Sequence, residues 1–568
     1  YYTKYMQEDL KSFGPFMFLM VAFIVYLTFR KWRLVILPLS AILASLVMTM
    51  SLLVLFKFSI NNVTTIIPPI LLAIMVADSI HVIGEGVARK RAIRDGSEND
   101  SVFFEETIRH LLFPCFLTSI TTAVGFWSLT MSRIPPVKEL GLVVGIGVAF
   151  AYLLTFTFMP ALAVATRAFK GVGPESGEKK IKGFDRLFDR FLEGLAIFNE
   201  RFARWIIVGS VVLVAVSVWG ISRLRAETSI IEAFQKKSDI YRSTEFLEDH
   251  LSGVHPLNIS LKAKSPDAFL HPEMLKRIEA LSAFLYSIEE VDKVSSVNDY
   301  LKDINQSFHN EDPVFYALPD TKEMAAQYVL LYGREDLEDF VDEQWQWATV
   351  RVRLKEHSSV KLEHVIKKID EYVQENFADL EERNTLGQTV LEVDTNNSVT
   401  LGQVQSLGMA MAVIFGMMFL VFRSVPVGVV SMVPNILPIL LNFGIMGIFN
   451  IRLDSATSMI AAIGIGIVVD DTIHFLHGFG EFLSGHGDYT RAMHETLKTR
   501  GRPIIFTSVV LFFGFGVVGF SKFMLTAYFG ILTALLMFTA LLADLMLTPS
   551  LLIVFKPPFW KGGDKEND

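Results

Sequence analysis

Cysteine is almost absent: the 568-residue chain holds one, Cys115, inside the apolar run LLFPCFLTSITTAVGF. That excludes a disulfide framework and a cysteine-built metal site. Charge is scarce too, with Asp, Glu, Lys and Arg at 20% of residues, too little for a soluble domain of this length. The net charge of −8 supplies no basic field, so nucleic acid is not expected as a partner. There is no G-x-x-x-x-G-K-[ST] loop to point to ATP as energy source. No nucleophile–base pair or metal motif is evident, so neither an enzyme nor a bound cofactor is expected. No signal peptide opens the chain, which begins YYTKYMQEDL without an initiator Met, as if a segment preceded it.

What is abundant is apolar: 51% of residues are hydrophobic, with 47 Phe and 21 Met. Runs long enough to cross roughly 30 Å of hydrocarbon occur at about 12–30, 34–57, 62–87, 109–131, 137–166, 203–223, 403–422, 427–449, 456–479, 502–521 and 524–554. Basic residues concentrate on one side of these runs, at Arg30, Lys31 and Arg33; Arg89, Lys90, Arg91 and Arg94; Arg167, Lys170, Lys179, Lys180 and Lys182; Lys498, Arg500 and Arg502, against Lys57, Arg133, Lys138, Arg452 and Lys522 in the short loops of the other. The positive-inside rule makes that side cytoplasmic and sends the long polar insert, 224–402, to the other. Within the insert, 256–264, 347–356 and 389–395 alternate as strands and 271–291 and 359–377 read as helices, an α+β layer. His255, His271 and His364 show no ligand spacing and read as surface residues. The linker 171–202 places Phe184, Leu187, Phe188, Phe191, Leu192, Leu195 and Phe198 on one helical face, with Asp185, Arg186, Asp189 and Arg190 opposite. It is expected to be an interfacial amphipathic tether.

The chain repeats itself. IIPPILLAIMVADSIHV (66–82) aligns with MIAAIGIGIVVDDTIHF (459–475), pairing Asp78 with Asp471, Ser79 with Thr472 and His81 with His474 at an offset of 393 (471 − 78). PCFLTSITTAVGF (114–126) aligns with PIIFTSVVLFFGF (503–515), pairing Pro114, Thr118, Ser119 and Gly125 with Pro503, Thr507, Ser508 and Gly514 at an offset of 389 (503 − 114), which still holds at Pro160 and Pro549. Ordered matches across five helices define two parallel cassettes, expected to be related by a pseudo-twofold axis along the membrane normal.

Five-helix cassettes with an intramembrane Asp on the third helix of each resemble the RND (resistance-nodulation-division) superfamily. ADSIH, DDTIH and the short polar insert resemble its MMPL-like, hydrophobe-exporting branch, which is related to hopanoid transporters, Patched and Dispatched. The resemblance implies a polytopic α-helical membrane protein with this organisation: a first membrane repeat (1–170), the amphipathic linker (171–202), a further membrane helix (203–223), a periplasmic porter-like α+β domain (224–402), a second repeat (403–555) and a cytoplasmic tail (556–568). Family members have twelve helices and two porter domains, so a first helix and a first porter domain are expected upstream, removed by truncation or supplied by another chain. The resemblance also implies that the third and ninth helices pack side by side, bringing Asp78 toward Asp470 and Asp471. One departure is the lack of a mid-membrane lysine, which some drug-efflux members set against an acidic pair.

Carboxylates inside hydrocarbon must be paired, hydrated or protonated. Imidazoles one turn away are suited to passing protons. Asp78, Asp470, Asp471, His81, His474, Ser79 and Thr472 are therefore the expected proton relay, and Asp544 a further candidate member. Sodium, which carboxylates and hydroxyls also bind, stays open as the coupling ion. A structural role, each Asp held by hydroxyls of a neighbouring helix, is the alternative; it leaves the duplicated Asp-x-x-His unexplained. Gly464 and Gly466 are expected to allow close helix approach, and Asn435 and Asn442 to bond between helices.

The expected function is proton-motive-force-driven export of lipids or other hydrophobic molecules from a bacterial or archaeal inner membrane. Membrane lipids, a periplasmic lipid-carrier protein and further copies of the chain are the expected partners. A lipid- or sterol-sensing receptor and a proton-driven helper of protein translocation remain the alternatives.

Overall fold

The computed structural model describes residues 2–61, 63–92, 100–170, 172, 182–227, 231–332 and 337–559. Arg94, Lys179, Lys180 and the tail beyond 559 lie outside the described residues, as do the side chains of Arg91, Lys182, Phe184 and Asp185. The chain divides into a membrane unit, 1–226 with 398–568, and an α/β unit, 227–397. These bounds set the polar domain a few residues inside the expected 224–402.

The first repeat consists of α1 (Tyr2–Phe29), α2 (Trp32–Leu55), α3 (Ile67–Ala92), α4 (Asp100–Ser128), α5 (Pro135–Phe156) and the short α6 (Phe158–Ala165). It is followed by α7 (Lys182–Ile221), 40 residues without a break. From Lys182 onward the expected linker is thus continuous with the span at 203–223, since nothing between Asn199 and Arg204 ends the helix: no Gly or Pro interrupts NERFAR. Part of its predicted apolar face packs inward, with Leu192 against Gly501 and Phe188 stacked on Phe506 at 5.7 Å. Leu187 and Phe191 stay exposed.

In the α/β unit, α8 (Asp239–His250), β1 (His255–Lys262), α9 (Pro272–Tyr286), β2 (Val291–Ser295), α10 (Val297–Phe308), α11 (Lys322–Tyr332), β3 (Trp347–Leu354), α12 (Ser359–Asn376) and β4 (Glu382–Leu386) follow in order. The sheet order is β2-β3-β1-β4, and every neighbouring pair is antiparallel. Two split β-α-β units interleave, β3 lying between β1 and β2, and β1 between β3 and β4. Every second residue of β1, from His255 through Leu257 and Ile259 to Leu261, is buried, meeting Leu275, Ile278 and Leu281 of α9 and Leu362 and Ile369 of α12 in one core.

The segment 389–395, expected as a strand, instead opens α13 (Gln388–Phe422). Its buried positions are Thr389, Glu392, Val393 and Asn396, a spacing of three and four that marks a helix; the strand expected there is β4, just upstream.

The second repeat comprises α13, α14 (Val425–Ile448), α15 (Ser455–His486), α16 (Tyr489–Val518), α17 (Met524–Leu542), a π-helical turn (Ala543–Leu547) and α18 (Thr548–Phe555). Ten helices among the described residues are long and apolar enough to cross a membrane. The expected first run, 12–30, falls on the second half of α1, whose described residues are apolar over Phe13–Phe29.

α15 is the innermost helix: every residue from Ala456 to Leu476 is buried. A capping box starts it, with Asp454 accepting from the amides of Ala456 and Thr457 at 2.8 Å each. Its backbone lies against α4 of the other repeat: a Cβ on Gly125 would strike Ala462 O and Gly466 Cα. Thr122 Oγ1 adds a hydrogen bond to Gly466 O at 3.0 Å. The pseudo-symmetric crossing, α16 on α3, sets Gly514 against Ala73. The third and ninth spans therefore face each other through side chains, and each packs its backbone against the fourth helix of the opposite repeat. Small residues at those crossings permit the approach.

A second repeated feature is a break in the fifth helix. The α5–α6 junction at Thr157 and the π turn at Ala543–Leu547 fall at matching places, a few residues before Pro160 and Pro549. Proline has no N–H and clashes with the carbonyl four residues back. For Pro549 that carbonyl is Leu545 O, and it accepts instead from Asn199 Nδ2 of α7 at 2.7 Å.

Candidate functional site

The middle of the membrane unit gathers most of the residues expected there. Asp471 on α15 accepts from Ser508 Oγ at 2.6 Å and Thr507 Oγ1 at 3.1 Å, both on α16. Asp78 on α3 accepts from Ser119 Oγ on α4 at 3.1 Å. The same carboxylate–serine pairing is thus built twice, since Ser119 and Ser508 are themselves repeat partners. Asp470 is buried, with Asp471 and Asp78 as charge neighbours. Its Oδ1 lies 3.4 Å from His474 Nε2, one turn along α15.

His81 and His474 bridge the repeats directly. Their rings stack with centroids 4.2 Å apart and planes 18° from parallel, and both are buried. Nε2 of each, together with Asp470 Oδ1, lacks a hydrogen-bond partner among the described residues. Buried polar atoms without partners are rare in folded proteins and concentrate where protons, ions or water are exchanged.

Ser79 and Thr472, though repeat partners, diverge. Ser79 turns back on its own helix, donating to Met75 O at 3.2 Å, and meets neither carboxylate. Thr472 Oγ1 lies 2.6 Å from Asp544 Oδ1 and 2.9 Å from Asn435 Oδ1. Asp544, on the π turn, thereby joins a second buried polar cluster behind α15, with Thr548 at 3.4 Å. Asn435 donates within its own helix to Ser431 O, and Asn442 donates to Leu532 O of α17 at 3.2 Å. Gly464 faces the Leu536 side chain.

Below the histidines, a cavity of about 290 Å³ opens among α1, α3, α4 and α16, with His81 and Glu85 in its wall beside Arg30 and Arg500. Arg500 approaches Glu85 at 4.0 Å and Glu481 at 3.4 Å, and His110 lies 3.7 Å from each of those glutamates. Sequence reasoning passed over this ionic mouth because Glu85, His110, Glu481 and Arg500 come from four separate helices. It also passed over Ser119, Ser508 and Thr507 as carboxylate partners, although their recurrence in the repeat was the available signal. His271 and His364 are exposed as expected; His255, expected at the surface, is buried.

This fold and this paired intramembrane site define a polytopic membrane protein of the RND type, built from two five-helix repeats. The MMPL family profile matches residues 2–212 and 337–566, and the chain belongs to the MMPL family. Among curated proteins it is similar to the multidrug resistance protein MdtC of Pectobacterium atrosepticum, 24% identical over 237 residues, which cover 40% of this chain and 22% of that protein. It also matches protein patched homolog 2 of Mus musculus, 32% identical over 117 residues, covering 20% and 10%. The chain thus spans about a fifth or less of these relatives. Among solved structures, the hedgehog release protein Disp from the water bear Hypsibius dujardini superposes with a TM-score of 0.68 at 13% identity, over 98% of this chain and 71% of that one.

Proposed function

We propose that the protein is a secondary active exporter of lipids or other hydrophobic molecules in a bacterial or archaeal inner membrane, with its α/β domain on the outer side. Protons enter from that side, neutralise the Asp78, Asp470 and Asp471 carboxylates and leave through the His81–His474 stack into the cavity beside Glu85 and Arg500. Each elementary charge crossing 100 mV releases about 2.3 kcal/mol, enough to bias two helix packings tenfold or more. Neutralising the carboxylates weakens their hold on Ser119 and on Ser508 and Thr507, and so changes the α3–α4 and α15–α16 contacts.

The observation that carries this reading is the duplicated carboxylate–serine pair, continued by stacked histidines to a cavity with charged walls. A solely structural acid does not require that continuation. The relative MdtC is a multidrug resistance protein, which agrees with an apolar cargo. Reconstituted protein under an imposed pH or sodium gradient is expected to move lipid, and Asp78→Asn and Asp471→Asn are each expected to abolish coupled movement. Undiminished lipid movement in both variants would remove the relay from the mechanism, and response to a sodium gradient alone would change the ion.

A further inference from the structure

Behind α15, three polar side chains form a line that the proposed proton path does not use. Thr472 Oγ1 lies 2.6 Å from Asp544 Oδ1 on the π turn and 2.9 Å from Asn435 Oδ1 on α14. Asn435 Nδ2 donates to Ser431 O at 2.7 Å. All three side chains are buried, Asp544 at 1% exposure, and Asp544 Oδ2 has no hydrogen-bond partner among the described residues.

The bond to Ser431 fixes the direction of the line. A backbone carbonyl only accepts, so the nitrogen of the Asn435 amide must face Ser431 and its oxygen must face Thr472. Thr472 therefore stands between two oxygens with one hydroxyl proton to give. Given to an ionised Asp544, that proton leaves Asn435 Oδ1 facing a lone pair across 2.9 Å. Given to Asn435, it leaves a carboxylate facing a lone pair across 2.6 Å. A protonated Asp544 removes the conflict: its O–H donates to Thr472, Thr472 donates to Asn435, and Asn435 donates to Ser431. Thr548 Oγ1 is 3.4 Å from Asp544 Oδ1 and 3.4 Å from Ala543 O, beyond the usual O–H···O range, and does not replace the missing donor.

We infer that Asp544 is a proton-binding site of its own, holding its proton toward Thr472 and so tying the π turn, through α15, to α14. Loss of that proton turns the Thr472 hydroxyl to the carboxylate and leaves Asn435 Oδ1 without a donor. The link from α15 to α14 therefore lasts only while the proton is bound.

The first repeat lacks both ends of the line. At the offset of 393, Ile42 stands where α14 has Asn435 and Ser79 where α15 has Thr472; at the offset of 389, Thr155 stands where the π turn has Asp544. With neither acid nor amide beside it, Ser79 bonds back to Met75 O of its own helix. Acid, hydroxyl and amide thus occur together in one repeat, as a continuous line requires.

The elements packed on the π turn supply no counter-ion. α14, α17 and α18 carry no acidic or basic side chain, and Tyr528 of α17 is their one other titratable group. α15 contributes Asp470 and Asp471, acids that would repel an ionised neighbour. On α7 the residue bonded to the turn is the neutral Asn199, while Glu200, Arg201 and Arg204 are exposed.

The test is infrared difference spectroscopy of the full chain in lipid nanodiscs, with ¹³C in the aspartate carboxyls. At neutral pH, Asp544→Asn is expected to remove one protonated-carboxyl band and no carboxylate band. Asn435→Leu frees the Thr472 hydroxyl for the carboxylate and is expected to lower the proton affinity of Asp544 about tenfold, read as loss of its band about one pH unit lower. Asn442→Leu, on the same helix, is expected to leave that pH unchanged. A carboxylate band lost in Asp544→Asn, or a protonated band whose pH dependence ignores Asn435→Leu, would overturn the inference. Should Asp544→Asn fail to fold, Thr472→Val takes its place: with the acceptor gone, the Asp544 carbonyl band is expected to move to higher frequency, and a spectrum in which no protonated band moves overturns the site. Lipid movement is not the readout, so a failure here is distinguishable from a failure of the export reading.

Discussion

Asp471 has two hydroxyl donors on α16, and Ser508 at 2.6 Å is the closer. Hydrogen bonds to charged groups contribute about 1.5–3 kcal/mol when their removal leaves the partner unsatisfied. Thr507 remains in place when Ser508 is lost, so Ser508→Ala is expected to cost about 1 kcal/mol, read as a lower Tm in detergent. Removing Thr507 as well should cost more than the sum of the single changes, because the two share one acceptor. At this scale the sequence was most informative where chemistry repeats: Asp78, Asp471, His81 and His474 stand out because a carboxylate and an imidazole recur at the same spacing in apolar helices. Ser79 and Thr472 were equally visible, yet only Thr472 reaches an acid, and that acid is Asp544. Direction around a helix that is buried on every side has no polar face to reveal it. His255 was misjudged for a similar reason, since its neighbours His357 and Glu392 are distant in the chain.

Elements in the membrane unit meet through small residues, and their tolerance of a single methyl group is a direct measure of that contact. A Cβ on Gly125 would meet the α15 backbone, whereas one on Gly516 would meet nothing within 4 Å. Gly125→Ala is therefore expected to destabilise by about 1–3 kcal/mol, the usual cost of overpacking, while Gly516→Ala leaves thermal unfolding unchanged or improves it. Asn199→Leu tests the helix break: with Leu545 O left unpaired, a loss of about 0.6–2 kcal/mol is expected. Pro160 and Pro549 were legible as repeat partners, but the π turn was not, because π and α geometry differ by one residue per turn in the same apolar pattern. The strand misread at 389–395 has a comparable origin, as V-L-E-V-D-T satisfies a period of two over so short a stretch.

On the scale of the whole molecule, the two repeats share one architecture but not one chemistry. Ala77 occupies the position that Asp470 holds in the second copy, and Thr155 that of Asp544. Acid should also loosen the α/β unit. In the α/β unit, Arg277 forms two hydrogen bonds to Asp379, at 3.0 and 2.6 Å, and holds that carboxyl below its ordinary 3.8. A lowered carboxylate value stabilises the folded form above about 3.8 and loses that contribution as pH falls further. Amide exchange at the C-terminal end of α12, corrected for its intrinsic pH dependence, is thus expected to accelerate as pH falls below about 3.8, and Arg277→Ala to remove that acceleration by making exchange fast above it as well. The two-repeat plan could be read from the sequence because offsets of 393 and 389 persist for a whole cassette. The crossing of each third helix over the opposite fourth helix could not, since it depends on which small residues face one another.

The unbroken α7 has a mechanical meaning. Forty residues at 1.5 Å per residue make a rod of about 60 Å, twice the thickness of the hydrocarbon it crosses. Its Lys182 end carries Phe188 against Phe506, and further along Asn199 grips the carbonyl freed at Leu545. Pivoting on that grip by about 5° would swing the far end, some 22 residues and roughly 33 Å away, through about 3 Å. A tilt of a few degrees at Asp544's turn would in this way become a displacement of side-chain size across the membrane, carried by a lever with no hinge of its own.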